Sequence, residues 1–134
     1  MIKQVSAALF VVVTTPLCYA NEATDKFVNE LLNCSAYYQI TSQALSQLDA
    51  PQMKNVAQRL SQDADKALEL AQQYQPDSNL TESLAQAKQA QIATMKNAKD
   101  LGHLMARYKD SCKTSITDPQ ARLDYWSMAT MKVY

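Results

Sequence analysis

Residues 95–112 read MKNAKDLGHLMARYKDSC, and the fold turns on whether this stretch is one straight helix or two helices joined by a bend. Leu101, Met105, Tyr108 and Cys112 recur at three- and four-residue spacing, the repeat of one helical face. They extend a stripe that starts upstream with Leu80, Leu84, Ala87, Met95 and Ala98. Gly102, the one glycine of the chain, sits inside that pattern. A lone glycine in a helix costs only about 1 kcal/mol, so the stripe reads as continuous through it. Cys112 argues the other way, through the cysteine it has to reach.

Three cysteines occur: Cys18, Cys34 and Cys112. Cys18 falls in an amino-terminal segment with the three parts of a secretory signal peptide. Lys3 supplies the charge, Ala7 to Val13 the apolar centre, and Cys18-Tyr19-Ala20 a small-x-Ala cleavage site before Asn21. Residues 1–20 are therefore expected to be removed and residues 21–134 to form a single domain. Leu17 precedes Cys18 where a lipid-anchored protein has a small residue, so lipidation is the weaker reading. Two cysteines left in an oxidising compartment most simply pair, and Cys34–Cys112 is the expected disulfide of a periplasmic or secreted protein.

The remainder is helical in composition. Ala, Gln, Leu and Lys abound, and no Asn-Gly or Asp-Gly pair is present to turn a hairpin. The expected fold is all-α, a small bundle of about four helices with one disulfide. A first helix runs from about Asn21 to Leu48, with Phe27, Leu31, Cys34, Tyr38, Leu45 and Leu48 on its inner face. Asp49-Ala50-Pro51-Gln52 supplies a capping aspartate, a first-turn proline and a capping-box partner for the second helix. That helix carries Met53, Val56, Ala57, Leu60, Ala64, Ala67, Ala71 and Tyr74 on its core face, alanine-rich enough for a neighbour to come close. Pro76 ends it, and Asn79 with Glu82 caps the third. Asp118-Pro119 opens a last helix reaching about Val133.

At about 1.5 Å per residue, Cys34 stands roughly 18 Å along helix one, whereas Cys112 would stand roughly 50 Å along an unbroken, parallel helix three. A disulfide requires Cα atoms within about 7 Å. Either the chain reverses near Gly102, or the helices are offset, or the cysteines stay apart.

Thirteen basic and thirteen acidic residues cancel, which leaves no electrostatic footprint for nucleic acid or anionic lipid. No apolar run after Ala20 approaches the roughly 20 residues of a transmembrane helix. His103 is the one histidine, which excludes multi-histidine metal sites and most catalytic dyads; it shares the polar side of its helix with Lys99, Arg107 and Asp110 and reads as solvated. Haem ligation by His103 with a methionine is the alternative, without a C-x-x-C-H attachment sequence. Met53, Met95 and Met105 read as core fillers, and the carboxylates are dispersed. No catalytic constellation, metal or cofactor is expected.

In the last helix Leu123, Tyr125, Trp126, Met128, Ala129, Met131, Val133 and Tyr134 spread around the circumference. Such a helix is either a buried lid on the bundle or an interface for a partner or second copy. The segments Cys34-Ser35-Ala36-Tyr37-Tyr38 and Arg107-Tyr108-Lys109-Asp110-Ser111-Cys112 resemble a family of small secreted bacterial helical proteins, functionally uncharacterised, with C-x-A-Y-Y early and R-Y-x-x-x-C late. The resemblance implies a paired-cysteine helical fold, with Tyr38 and Tyr108 against the sulfurs, and carries no activity. The expectation is a non-enzymatic envelope protein that binds a protein or serves a structural role, with Tyr125, Trp126 and Met128 touching the partner. The alternative is a carrier of a small apolar molecule or haem, which needs a cavity. An immunity or inhibitor role reads the same way in sequence.

Overall fold

The computed structural model describes residues 17–97 and 100–131. Five helices follow one another, α1 (Leu17–Ser46), α2 (Pro51–Tyr74), α3 (Leu80–Thr94), α4 (Leu101–Thr117) and α5 (Pro119–Ala129), and no strand occurs among the described residues. The expected count of about four rises by one because the third helix is two. Met1 to Pro16 of the expected leader lie outside the described residues, as do Ala98, Val133 and Tyr134. α1 starts at Leu17 rather than Asn21.

The 30 residues of α1 contain neither glycine nor proline, and this helix forms the axis of the molecule, packed by α2, α3, α4 and α5. Its central stretch is buried on every side: Phe27, Leu31, Cys34, Ala36, Tyr37, Tyr38 and Ile40 are all below one-tenth exposed. Leu48, expected on its inner stripe, is 44% exposed because the helix ends at Ser46, two residues too early to carry it inward.

α2 folds back along α1 on its alanines. Ala57, Ala64, Ala67 and Ala71 are buried, and the close approach they permit lets two α1 hydroxyls reach the α2 backbone. Ser35 Oγ donates to the Ala64 carbonyl at 2.9 Å and Ser42 Oγ to the Ala57 carbonyl at 2.7 Å. The expected Asp49 cap is not used: Ala50 is the N-cap and gives no side-chain bond, while Pro51 takes the first turn. Proline's fixed φ and missing N–H suit that position without help.

α3 begins as expected on Asn79, whose side chain accepts from the Thr81 N–H. It ascends beside α1, from Leu80 in the Phe27 cluster to Gln91, which donates to the Asn33 carbonyl at 2.8 Å. The reversal comes after Thr94, not at Gly102. Met95 is extended at φ −79°, ψ 136°, and Asp100 accepts from the Lys96 N–H before α4 begins. Gly102 lies within the first turn of α4, no described residue has positive φ, and a Cβ at Gly102 would meet nothing within 4 Å. A short polar turn closed by an aspartate performs the role assigned to the glycine.

With the chain reversed, α4 descends and the cysteine heights agree. Cys34 and Cys112 are bonded with Cα atoms 5.3 Å apart, and both are fully buried. The core forms two clusters along α1, one around the disulfide with Tyr37, Tyr38, Ala64 and Leu104, the other around Phe27, Leu31, Leu32, Ala71 and Leu80. Tyr108 packs on the first, its ring 5.8 Å from that of Tyr37. Met105, expected in the stripe, is 40% exposed, and Leu104 is buried in its place. No helix among the described residues is long and apolar enough to cross a membrane.

Candidate functional site

α2 and α4 lie on neighbouring flanks of α1 and touch each other little, so a groove opens between them with α1 as its floor. Its volume is about 510 Å³, within the range of about 300–1,000 Å³ that small-molecule sites occupy. Tyr37, Tyr38 and Leu45 line the floor, Val56 and Leu60 the α2 wall, and Leu101, Met105 and Ile116 the α4 wall. With Leu104 turned to the core, Met105 faces the groove and stays partly exposed.

Charge in the groove is confined to its edges. Lys109 and Lys113, one turn apart, stand on the α4 rim, and Asp63 stands on the α2 rim. None of the three forms an ion pair among the described residues. Burial, reinforced by the Asp63 carboxylate and the neighbouring Tyr37, pushes the Tyr38 phenol up to about 12. Burial also raises Tyr37, against a smaller opposing effect of the Thr41 hydroxyl, which interacts with its phenol. Both phenols therefore present neutral O–H groups to the groove at neutral pH.

The opposite flank of α4 meets α5 around a second set of residues. Glu30, on the inner side of α1 with a side chain 11% exposed, pairs with Arg122 at 2.8 Å. The Trp126 indole N–H donates to its other oxygen. Ser115 Oγ lies 3.1 Å from Glu30 Oε1 and 2.8 Å from the Ser111 carbonyl, one proton serving both. Arg122 in turn lies over the Tyr125 ring at 4.3 Å. One carboxylate thus ties α4 and α5 to α1.

The structure separates the three residues expected to touch a partner. Trp126 is half-buried and turned onto Glu30 and the Phe27 cluster. Tyr125 and Met128 face outward, 50% and 74% exposed, with Met131 beside them at 63%. Leu123 packs inward with Trp126, yet no residue of α5 is fully buried. The helix is therefore half docked and half open. His103 is exposed on α4, and among the described residues no three His, Cys, Asp or Glu side chains gather as a metal site.

The sequence reading passed over Glu30. Its signal is an acid three residues after Phe27 and four before Cys34, within the buried arc of a helix, where an unpaired carboxylate is unfavourable and partners must be supplied. The groove has no comparable signal, since its walls come from three helices whose placement follows from the reversal after Thr94. Comparison with protein-family models, with curated proteins and with solved structures finds no match to the chain.

Proposed function

We propose that this chain is an exported, non-enzymatic binding protein that holds a small apolar molecule bearing an acidic group in the groove between α2 and α4. The observation that carries the reading is the groove itself: a concave, apolar-walled space of about 510 Å³ with its uncompensated cations, Lys109 and Lys113, on one rim. An apolar body gains by leaving water against Tyr38, Leu60 and Met105, and its acidic end is drawn to the lysines. Asp63 on the other rim fixes the direction by repelling that end. The signal-peptide pattern, the buried disulfide and the resemblance to secreted paired-cysteine proteins support export to the periplasm or beyond.

Dodecanoate and dodecanol, titrated separately into the purified protein, test it. The acid is expected to bind more tightly than the alcohol. Lys109→Ala with Lys113→Ala should weaken the acid by about tenfold and leave the alcohol unchanged, the loss of one or two charge-assisted contacts. Met105→Glu, at a partly exposed position, should abolish both without unfolding the protein. If neither compound binds, or if Met105→Glu has no effect, the reading is overturned.

A second reading, binding of a protein partner or another copy through α5, is favoured by the outward Tyr125, Met128 and Met131. Aromatic and methionine side chains are enriched at interface cores. Met128→Asp with Tyr125→Ser should then convert an associated species on a sizing column to the monomer.

A further inference from the structure

The cleft between α1, α4 and α5 has an excess of positive charge that the protein leaves unneutralised. It encloses about 280 Å³ and is lined by Lys26, Asn29, Glu30 and Asn33 of α1, Arg107, Tyr108 and Ser111 of α4, and Arg122 and Trp126 of α5. Three cations therefore face one anion. That anion is already committed: Glu30 receives Arg122, Trp126 and Ser115. Its single negative charge is shared among these three, and no ion pair joins it to Lys26 or Arg107 among the described residues.

Neither of those two forms an ion pair among the described residues. Acids stand within one helical turn of each, Glu22 before Lys26 and Asp110 after Arg107, where an intrahelical pair is ordinary. Neither pair forms. Arg107 instead lies over the Tyr108 ring, its guanidinium 5.4 Å from the centroid, an arrangement that keeps its N–H donors at the cleft wall. The remaining lining adds neutral donors, the side-chain amides of Asn29 and Asn33. The Asn33 backbone carbonyl, which would repel an anion, is occupied by Gln91.

We propose that this cleft is a binding site for a small oxyanion, a phosphate or a compact carboxylate, held between Lys26 and Arg107 with the asparagine amides completing its hydrogen bonds. Arg122 contributes field, and although Glu30 engages its Nη2, its buried Nε–H has no partner among the described residues and adds a donor at the cleft. The size of the cleft selects a small molecule, and the charge selects a multiply ionised one. The site is independent of the groove: α4 separates the two, and no residue lines both.

Inorganic phosphate and citrate, added separately at low salt, are the probes, with the Trp126 indole N–H resonance as reporter on the cleft wall. Saturable displacement of that resonance is expected with at least one of them. Phosphate alone assigns the phosphoryl class, citrate alone the carboxylate class, and both together assign the shared oxyanion chemistry. Lys26→Ala with Arg107→Ala, at two exposed positions, should weaken binding by about tenfold or more. The charge-matched control Lys54→Ala with Lys66→Ala, on the surface of α2, should not. Absence of saturable displacement by either anion overturns the proposal. So does equal weakening in the two double variants, which is general screening of surface charge.

Discussion

The two flanks of α4 begin at the same covalent bond and diverge in every other respect. Toward α2 the surface is largely apolar, its polar groups are two neutral phenols, the Thr41 and Thr117 hydroxyls and three rim charges, and little protein crosses the gap. Toward α5 the surface is charged, and one carboxylate gathers a guanidinium, an indole and a hydroxyl from two helices. The first flank is held by the cross-link and the apolar packing of Leu104 and Ile116 beneath it; the second is pulled together by Glu30. A helix seated on its core along one face thus leaves one side open and uses polar contacts to close the other.

Removing the shared wall has the largest effect. Cys34→Ser with Cys112→Ser deletes a link spanning 78 residues, a loss of about 4–5 kcal/mol in the chain-entropy model before strain is subtracted. Urea denaturation with and without reductant measures it, and ligand binding on both flanks should fall together. Loss on one flank only would show that the two do not depend on a common wall.

Glu30→Ala comes next and strikes the polar flank alone. It strands Arg122 and the Trp126 N–H, while Ser115 keeps its bond to the Ser111 carbonyl, for about 2–3 kcal/mol, reduced from a fully buried pair because Arg122 keeps some solvent. Trp126 emission should shift to the red while dodecanoate affinity is preserved. Glu30→Gln should retain part of the stability.

The smallest effect is confined to the apolar flank and to alkaline pH. Tyr38 titrates near 10.0 when unfolded and near 12 when folded. Below pH 10 both states are protonated and pH has no effect through this group. Between pH 10 and 12 the unfolded chain ionises first, so stability falls as pH rises. Tyr38→Phe should remove that part of the slope and leave the slope at neutral pH unchanged.

The parts of this arrangement that were legible in sequence are those with local causes. Asp118-Pro119 and Asn79 state their helix starts in residue type, and both caps form. The alanines of α2 announce a close neighbour, and one is there. Cys112 announced a conflict of heights, which a reversal resolves. Where the reversal falls was less legible, because Gly102 is the louder signal, while the extended Met95 and the bond from the Lys96 N–H to Asp100 mark the operative one. On α4, Leu101, Tyr108 and Cys112 of the expected stripe do meet the core, and only Met105 gives way to its neighbour Leu104 on the same broad face. Glu30 could be found by its place in a buried arc, but its partners come from 85 and 96 residues away, a distance no local pattern spans.

The two hydroxyl-to-carbonyl bonds between α1 and α2 have a mechanical consequence. Ser35 and Ser42 are two helical turns apart, and so are their acceptors Ala64 and Ala57. Sliding α2 by one turn would break both bonds at once and drive larger side chains into a seam sized for methyl groups. The α2 wall is therefore fixed in register like a rack against its pinion. Any adjustment of the groove to the thickness of what it holds falls to the α4 wall, whose side chains meet no such register.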